Sequence, residues 1–137
     1  MTINPYLFYD GKCEAAFKFY EKVLGGKIEA MMTFDSAPES MPVSPEWKKK
    51  IMHGMMTIDG QTLMGSDPPP AHFQKPQGFA VSLQLNDLAE AERKFNALAA
   101  GGTVSMPFGK TFWSKGFGMC VDQFGISWLA NISQPQM

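Results

Sequence analysis

A chain of 137 residues, 45% hydrophobic and 18% charged, has the length and composition of one globular domain rather than of a disordered segment. Its net charge of −1 gives neither nucleic acid nor an anionic membrane the basic surface that each requires, which excludes both as main partners. Cys13 and Cys120 show no metal-type spacing and no disulfide framework; no signal peptide and no apolar run of spanning length is present, so the expected location is cytoplasmic.

In chain order, Thr2 to Tyr9 is a β-rich run that Asp10-Gly11-Lys12 breaks. Apolar residues then recur at Cys13, Ala16, Phe17, Tyr20, Val23 and Leu24, the spacing of an amphipathic helix, and Gly25-Gly26 stops it. Lys27 to Phe34 reads as a strand and Ala37 to Lys50 as a loop, in which Lys48-Lys49-Lys50 is a solvated turn. Ile51 to Ile58 and Gln61 to Ser66 are strands joined by Asp59-Gly60, a pair suited to a two-residue hairpin turn. Asp67 to Gly78 is a proline-rich connector. The order then repeats: a strand over Phe79 to Leu85, a helix capped by Asn86 or Asp87 with a stripe of Leu88, Ala91, Phe95, Leu98 and Ala99, a stop at Gly101-Gly102, and three further strands.

A shift of 75 lays the first helix on the second, Cys13 on Leu88 and Gly26 on Gly101, and puts Pro5 on Ala80. A shift of 65 lays the Asp59–Ser66 hairpin on the segment around Gly125, pairing Met64 with Leu129. The chain is therefore expected to be one α+β domain over 1–137, built from two βαβββ modules at 3–67 and 78–132 with a connector at 68–77.

The runs YLFYDG…EAAFKFYEKVLGG and FWSKGFGMCVDQFGISW, in this duplicated order, resemble the vicinal oxygen chelate superfamily of glyoxalases, extradiol dioxygenases and antibiotic-resistance proteins. Within it the chain is similar to the PhnB-like branch, labelled 3-demethylubiquinone-9 3-methyltransferase-like. The resemblance implies a mixed sheet cupped around a shared hollow with helices outside, and a homodimer. It also implies four metal-holding positions, which fall on Pro5, Ala80, Met64 and Leu129. None supplies imidazole nitrogen or carboxylate oxygen, so no metal and no cofactor is expected. S-adenosylmethionine binding needs a glycine-rich turn that opens a helix, whereas both glycine pairs here close one.

Alternation along strands assigns faces. With Leu129 facing the cup, so do Ser127 and Asn131, and in the first module Thr62, Met64 and Ser66. Across the hairpin His53 and Met55 join them, with Gly118 and Cys120 as their expected counterparts. The first strands contribute Pro5, Leu7 and Tyr9, and Ala80, Ser82 and Gln84. His53 is the candidate acid or base. Met55, Met64, Ser66, Ser82, Gln84, Leu129 and Asn131 are candidate ligand contacts. Phe112 and Trp113, between Gly109 and Gly118, either close over a ligand or pack a dimer interface or the cup's own edge. Asp67 either orients His53 or starts the proline turn. Two functions follow: metal-free binding of a small, partly apolar molecule, or an isomerase or lyase acting on a small carbonyl compound through His53.

Overall fold

The computed structural model describes residues 1–37 and 42–133; residues 38–41 of the expected loop and the last four residues lie outside this description. The chain forms two compact units, Met1–Lys75 and Pro76–Met137, each a βαβββ module of an α+β fold. The division falls inside the proline-rich connector.

The first unit runs β1 (Tyr6–Phe8), α1 (Cys13–Leu24), β2 (Lys27–Thr33), β3 (Ile51–Ile58) and β4 (Gln61–Ser66). Its sheet has the order β1-β4-β3-β2, with β1 parallel to β4 and the other pairs antiparallel. β1 is shorter than its β-rich run because Pro5 has no N–H to donate, although its carbonyl accepts from Met64 N at 3.1 Å. α1 buries Cys13, Ala16, Phe17, Tyr20 and Leu24 and closes on Gly25 in the left-handed region. Asp59 and Gly60 both take positive φ, the geometry of the two-residue turn.

α1 has no side-chain cap of its own. Instead the carboxylate of Asp67, far along the chain, accepts from Cys13 N and Ile51 N, each at 3.0 Å. One buried side chain thus ties the start of α1 to the start of β3. Trp47, beside the lysine turn, is buried, and its indole donates to the Asp67 carbonyl at 3.0 Å. Asp67 therefore neither orients His53 nor merely starts a turn.

The second unit runs β5 (Val81–Leu85), α2 (Leu88–Ala99), β6 (Thr103–Gly109), β7 (Phe117–Val121) and β8 (Ser127–Ile132). Its sheet order, β5-β8-β7-β6, repeats that of the first unit, with β5 parallel to β8. Asp87 caps α2 by accepting from Glu90 N at 3.1 Å. Ala91, Phe95 and Leu98 are buried, whereas Leu88, expected on the stripe, is exposed. Trp128 is buried, and its indole donates to Asp122 Oδ2 at 2.8 Å.

Two expected alignments need correction. β1 pairs Tyr6 with Met64 and Phe8 with Ser66, so Tyr6 and Phe8 share the face of Met64. Leu7 lies opposite Gly65, and Leu7 and Tyr9 are buried on the α1 side, where the Tyr9 hydroxyl donates to that of Tyr20. The assignment of Pro5, Leu7 and Tyr9 to the other face was out of register by one. In β5, Ser82 pairs with Leu129 and Gln84 with Asn131, so Tyr6 corresponds to Ser82 at a shift of 76 (82 − 6), not 75. Similarly, Met55 pairs with Met64 while Met119 pairs with Leu129. The counterparts of His53 and Met55 are therefore Phe117 and Met119 rather than Gly118 and Cys120. The cause is one extra residue in the second hairpin: 58–61 separate Thr57 from Thr62, and 122–126 separate Val121 from Ser127.

Candidate functional site

Each sheet has one face against its helix and one away from it. In the first unit Gly54 and Gly65 lie under the Phe17 ring, which fixes the helix side. The opposite face then carries a row Tyr6–Met64–Met55–Ala30 and, beside it, Phe8, Ser66, His53 and Met32. In the second unit the opposite face carries Ser82–Leu129–Met119–Met106 and Gln84–Asn131–Phe117–Gly109. None of these side chains is Asp, Glu, Lys or Arg.

In the first unit Met55, Met64 and His53 are half-buried and Ser66 is buried. The phenol oxygen of Tyr6 lies 3.2 Å from His53 Nδ1, and the two rings are 5.8 Å apart. Sequence reasoning missed Tyr6 and Phe8, because nothing local marks the register of a three-residue parallel strand. Phe8 packs against Tyr6 with ring centroids 5.1 Å apart.

In the second unit the polar side chains form a relay. Gln84 Nε2 donates to Ser82 Oγ at 2.7 Å, and Asn131 Nδ2 donates to Gln84 Oε1 at 2.9 Å. Ser82 and Gln84 are exposed, Leu129 is half-buried, and Asn131 is buried at 3% exposure.

Phe112 and Trp113 join this face through Phe117. The Trp113 ring meets Phe117 edge-on at 5.3 Å, and Phe112 meets Trp113 edge-on at 4.8 Å. Phe112 is 96% exposed at the tip. The loop beneath the rings is tied down. Thr111 and Ser114 close a turn through Thr111 N to Ser114 O at 2.9 Å and Ser114 N to Thr111 Oγ1 at 3.0 Å. The buried Ser114 hydroxyl donates to Gly116 O at 2.7 Å, and Gly116 O in turn accepts from Ile132 N of β8 at 2.9 Å. Ser114 was not among the expected residues; its only sequence signal is the Thr-x-x-Ser spacing of a side-chain turn.

Burial, aided by the charges of Asp67 and Glu14, raises the Cys13 thiol far above its usual range. Burial, with Asp122 nearby, pushes Cys120 up to about 11. Neither is poised as a thiolate nucleophile. Burial also raises the Asp67 carboxyl, against the opposing effect of the N–H groups of Ile51 and Cys13 and the charge of Lys50. His72 is exposed in the connector.

A metal in this fold would need several imidazole or carboxylate donors, and these rows supply one imidazole, His53, and no carboxylate. Among the described residues no group of three or more His, Cys, Asp or Glu is arranged to hold an ion. Among those residues, too, no helix is long and apolar enough to cross a membrane.

The family model of the Glyoxalase/Bleomycin resistance protein/Dioxygenase superfamily matches residues 2–129. The chain belongs to this superfamily. Among curated proteins it is 32% identical to Protein YjdN of Escherichia coli (strain K12), over 99% of this chain and 98% of that protein. Among solved structures it is similar to protein PA1353 from Pseudomonas aeruginosa, with 45% identity, 98% of each chain covered and a TM-score of 0.89. It is also similar to the PhnB protein from Bacillus cereus, which carries the name of a 3-demethylubiquinone-9 3-methyltransferase. There the identity is 25%, the TM-score 0.81, and the coverage 97% of this chain and 100% of that one. These likenesses place the chain beside PhnB-like members of the glyoxalase superfamily and establish no reaction for it.

Proposed function

We propose that this protein binds a small, partly apolar organic molecule without a metal, using the sheet faces turned away from the helices. The observation that carries this reading is the aromatic chain Phe112–Trp113–Phe117, held by a tied loop directly beside the neutral relay Ser82–Gln84–Asn131. Thioether, aliphatic and aromatic surface would supply most of the contact, and a few amide and hydroxyl groups would set orientation, as in small-molecule sites generally. Met55, Met64 and Ser66 would serve the same purpose in the first unit.

The name of the PhnB relative does not extend to a methyl-transfer proposal here. Gly25 and Gly101 both take positive φ just past helix ends, so neither opens a helix toward a cofactor phosphate or carboxylate. The superfamily resemblance also carries a homodimer into the proposal, which sedimentation equilibrium would test directly.

The test of binding is a thermal-shift screen against a metabolite library, repeated on Trp113→Ala. A ligand whose stabilisation is lost in Trp113→Ala supports the reading; a library without any such ligand sinks it. Tight zinc, nickel or manganese binding abolished by His53→Ala would equally overturn the metal-free account.

One contact favours a second reading. The Tyr6 phenol oxygen lies 3.2 Å from His53 Nδ1, and in the tautomer whose Nδ1–H donates to that oxygen Nε2 carries a free lone pair. That nitrogen can then take the proton from the carbon beside a carbonyl and return it to substrate, as an isomerase or lyase on a small carbonyl compound requires. Deuterium incorporation next to the carbonyl of a bound ligand, lost in His53→Gln while affinity persists, would establish this reaction. Retained exchange in His53→Gln would exclude His53 from it.

A further inference from the structure

The relay leaves one atom over. Asn131 is 3% exposed, its Nδ2 is taken by Gln84, and its Oδ1 has no hydrogen-bond partner among the described residues. A buried carbonyl without a donor is destabilising, so its retention in a folded protein calls for a physical reason. In the orientation the structure records, Gln84 gives Nε2 to Ser82 Oγ and turns Oε1 toward Asn131, which gives it Nδ2. Oδ1 is then the atom that waits for a donor.

Its surroundings describe the remainder of the missing group. Phe117 is the cross-strand partner of Asn131, with Trp113 edge-on to it, and Leu129 and Met119 form the next row. These are flat or deformable apolar surfaces that accept a ring. We infer that the second unit reads a planar group bearing an N–H, such as an amide, amidine or N–H heterocycle, with that N–H donated to Asn131 Oδ1. A carboxylate of the same outline would bring a second acceptor against Oδ1 and is disfavoured. This deepens the binding reading proposed above and rests on it.

Benzamidine and benzoate test the assignment, because they are nearly the same planar shape but one only donates and the other only accepts. The readout is the indole N–H of Trp113 and the side-chain amide of Asn131 in ¹H–¹⁵N spectra of the whole chain. Benzamidine should shift both signals at concentrations about tenfold below those benzoate needs. Asn131→Leu should remove the preference. Asn131→Asp should keep or strengthen benzamidine binding, since the carboxylate still accepts; the relay can reverse, with Gln84 Nε2 donating to residue 131 and the Ser82 hydroxyl donating to Gln84. Equal or better binding of benzoate, loss of benzamidine in a folded Asn131→Asp protein, or no shift dependent on Asn131 with either probe would each overturn the donor assignment. The broader binding reading fails separately, on a library without a Trp113-dependent ligand.

Discussion

Replacing Asp122 with Asn changes one oxygen to an NH₂ group and should weaken the fold of the second unit at its contact with Trp128. Asp122 is buried, and its Oδ1 accepts from Phe124 N at 2.8 Å and Ile126 N at 3.0 Å, contacts that an amide oxygen can keep. Its Oδ2 accepts from the Trp128 indole at 2.8 Å, and there Asn would set donor against donor. Losing a hydrogen bond to a charged group costs about 1.5–3 kcal/mol, and a buried donor left without an acceptor adds to it, so Asp122→Asn should destabilise by about 2–4 kcal/mol. Trp128→Phe removes the same bond from the other side, at a further cost in buried ring surface. The double variant should therefore be less unstable than the two singles together, by about 1.5–3 kcal/mol. Urea unfolding followed by far-ultraviolet circular dichroism gives all four corners of the cycle, whereas tryptophan fluorescence would change with the mutation itself. Additivity within about 0.5 kcal/mol would refute the claim that this bond holds the turn and the strand together.

Three further outcomes follow from the same kind of accounting. A Cβ on residue 65 would stand 2.8 Å from Leu7 O and 3.0 Å from the Phe17 ring, so Gly65→Ala should cost about 1–3 kcal/mol in urea unfolding, and a neutral result would contradict the packing of α1 on β4. Because folding raises the Asp67 carboxyl above its usual 3.8, its protonated form is favoured in the folded chain, and its contribution is fully present below that value and is lost as pH rises through the folded pKa. From acid toward neutral pH the native chain should therefore lose stability relative to Asp67→Asn; identical slopes would argue against the burial that causes the shift. The thiols of Cys13 and Cys120 should resist iodoacetamide at neutral pH in the folded chain and react once it is unfolded in urea, as mass spectrometry would show.

What the sequence revealed and what it hid divide along physical lines. Helices announce themselves through a stripe such as Ala16, Phe17, Tyr20 and Leu24 and through terminal glycines, because both are local consequences of a 3.6-residue period. The pairing of Met55 with Met64 was equally accessible, since Asp59-Gly60 fixes the hairpin register. The register of β1 was not. Thr2 to Tyr9 has no polar–apolar alternation, and its partner β4 lies more than fifty residues downstream, so the faces of Tyr6 and Leu7 were exchanged. With them went the Tyr6–His53 contact. Asn131 was placed on the correct face by parity, but its unmet oxygen depends on how Gln84 is turned, which no spacing rule contains.

Besides the longer connection between β2 and β3, the two copies of the module have drifted by single residues, one more before α1 than before α2 and one more in the hairpin after β7 than in that after β3. All these changes sit in connections, and the β1–β4, β3–β4, β5–β8 and β7–β8 ladders keep their phase, whereas the register shifts fall in the edge strands β2 and β6. A central strand tolerates no such insertion, because one added residue would send each following side chain through the sheet to the wrong surface. Loops thus act as the protein's spacers and ladders as its reading frame. A lineage of this architecture can lengthen its turns freely while the chemistry presented by each surface changes only by substitution, one position at a time.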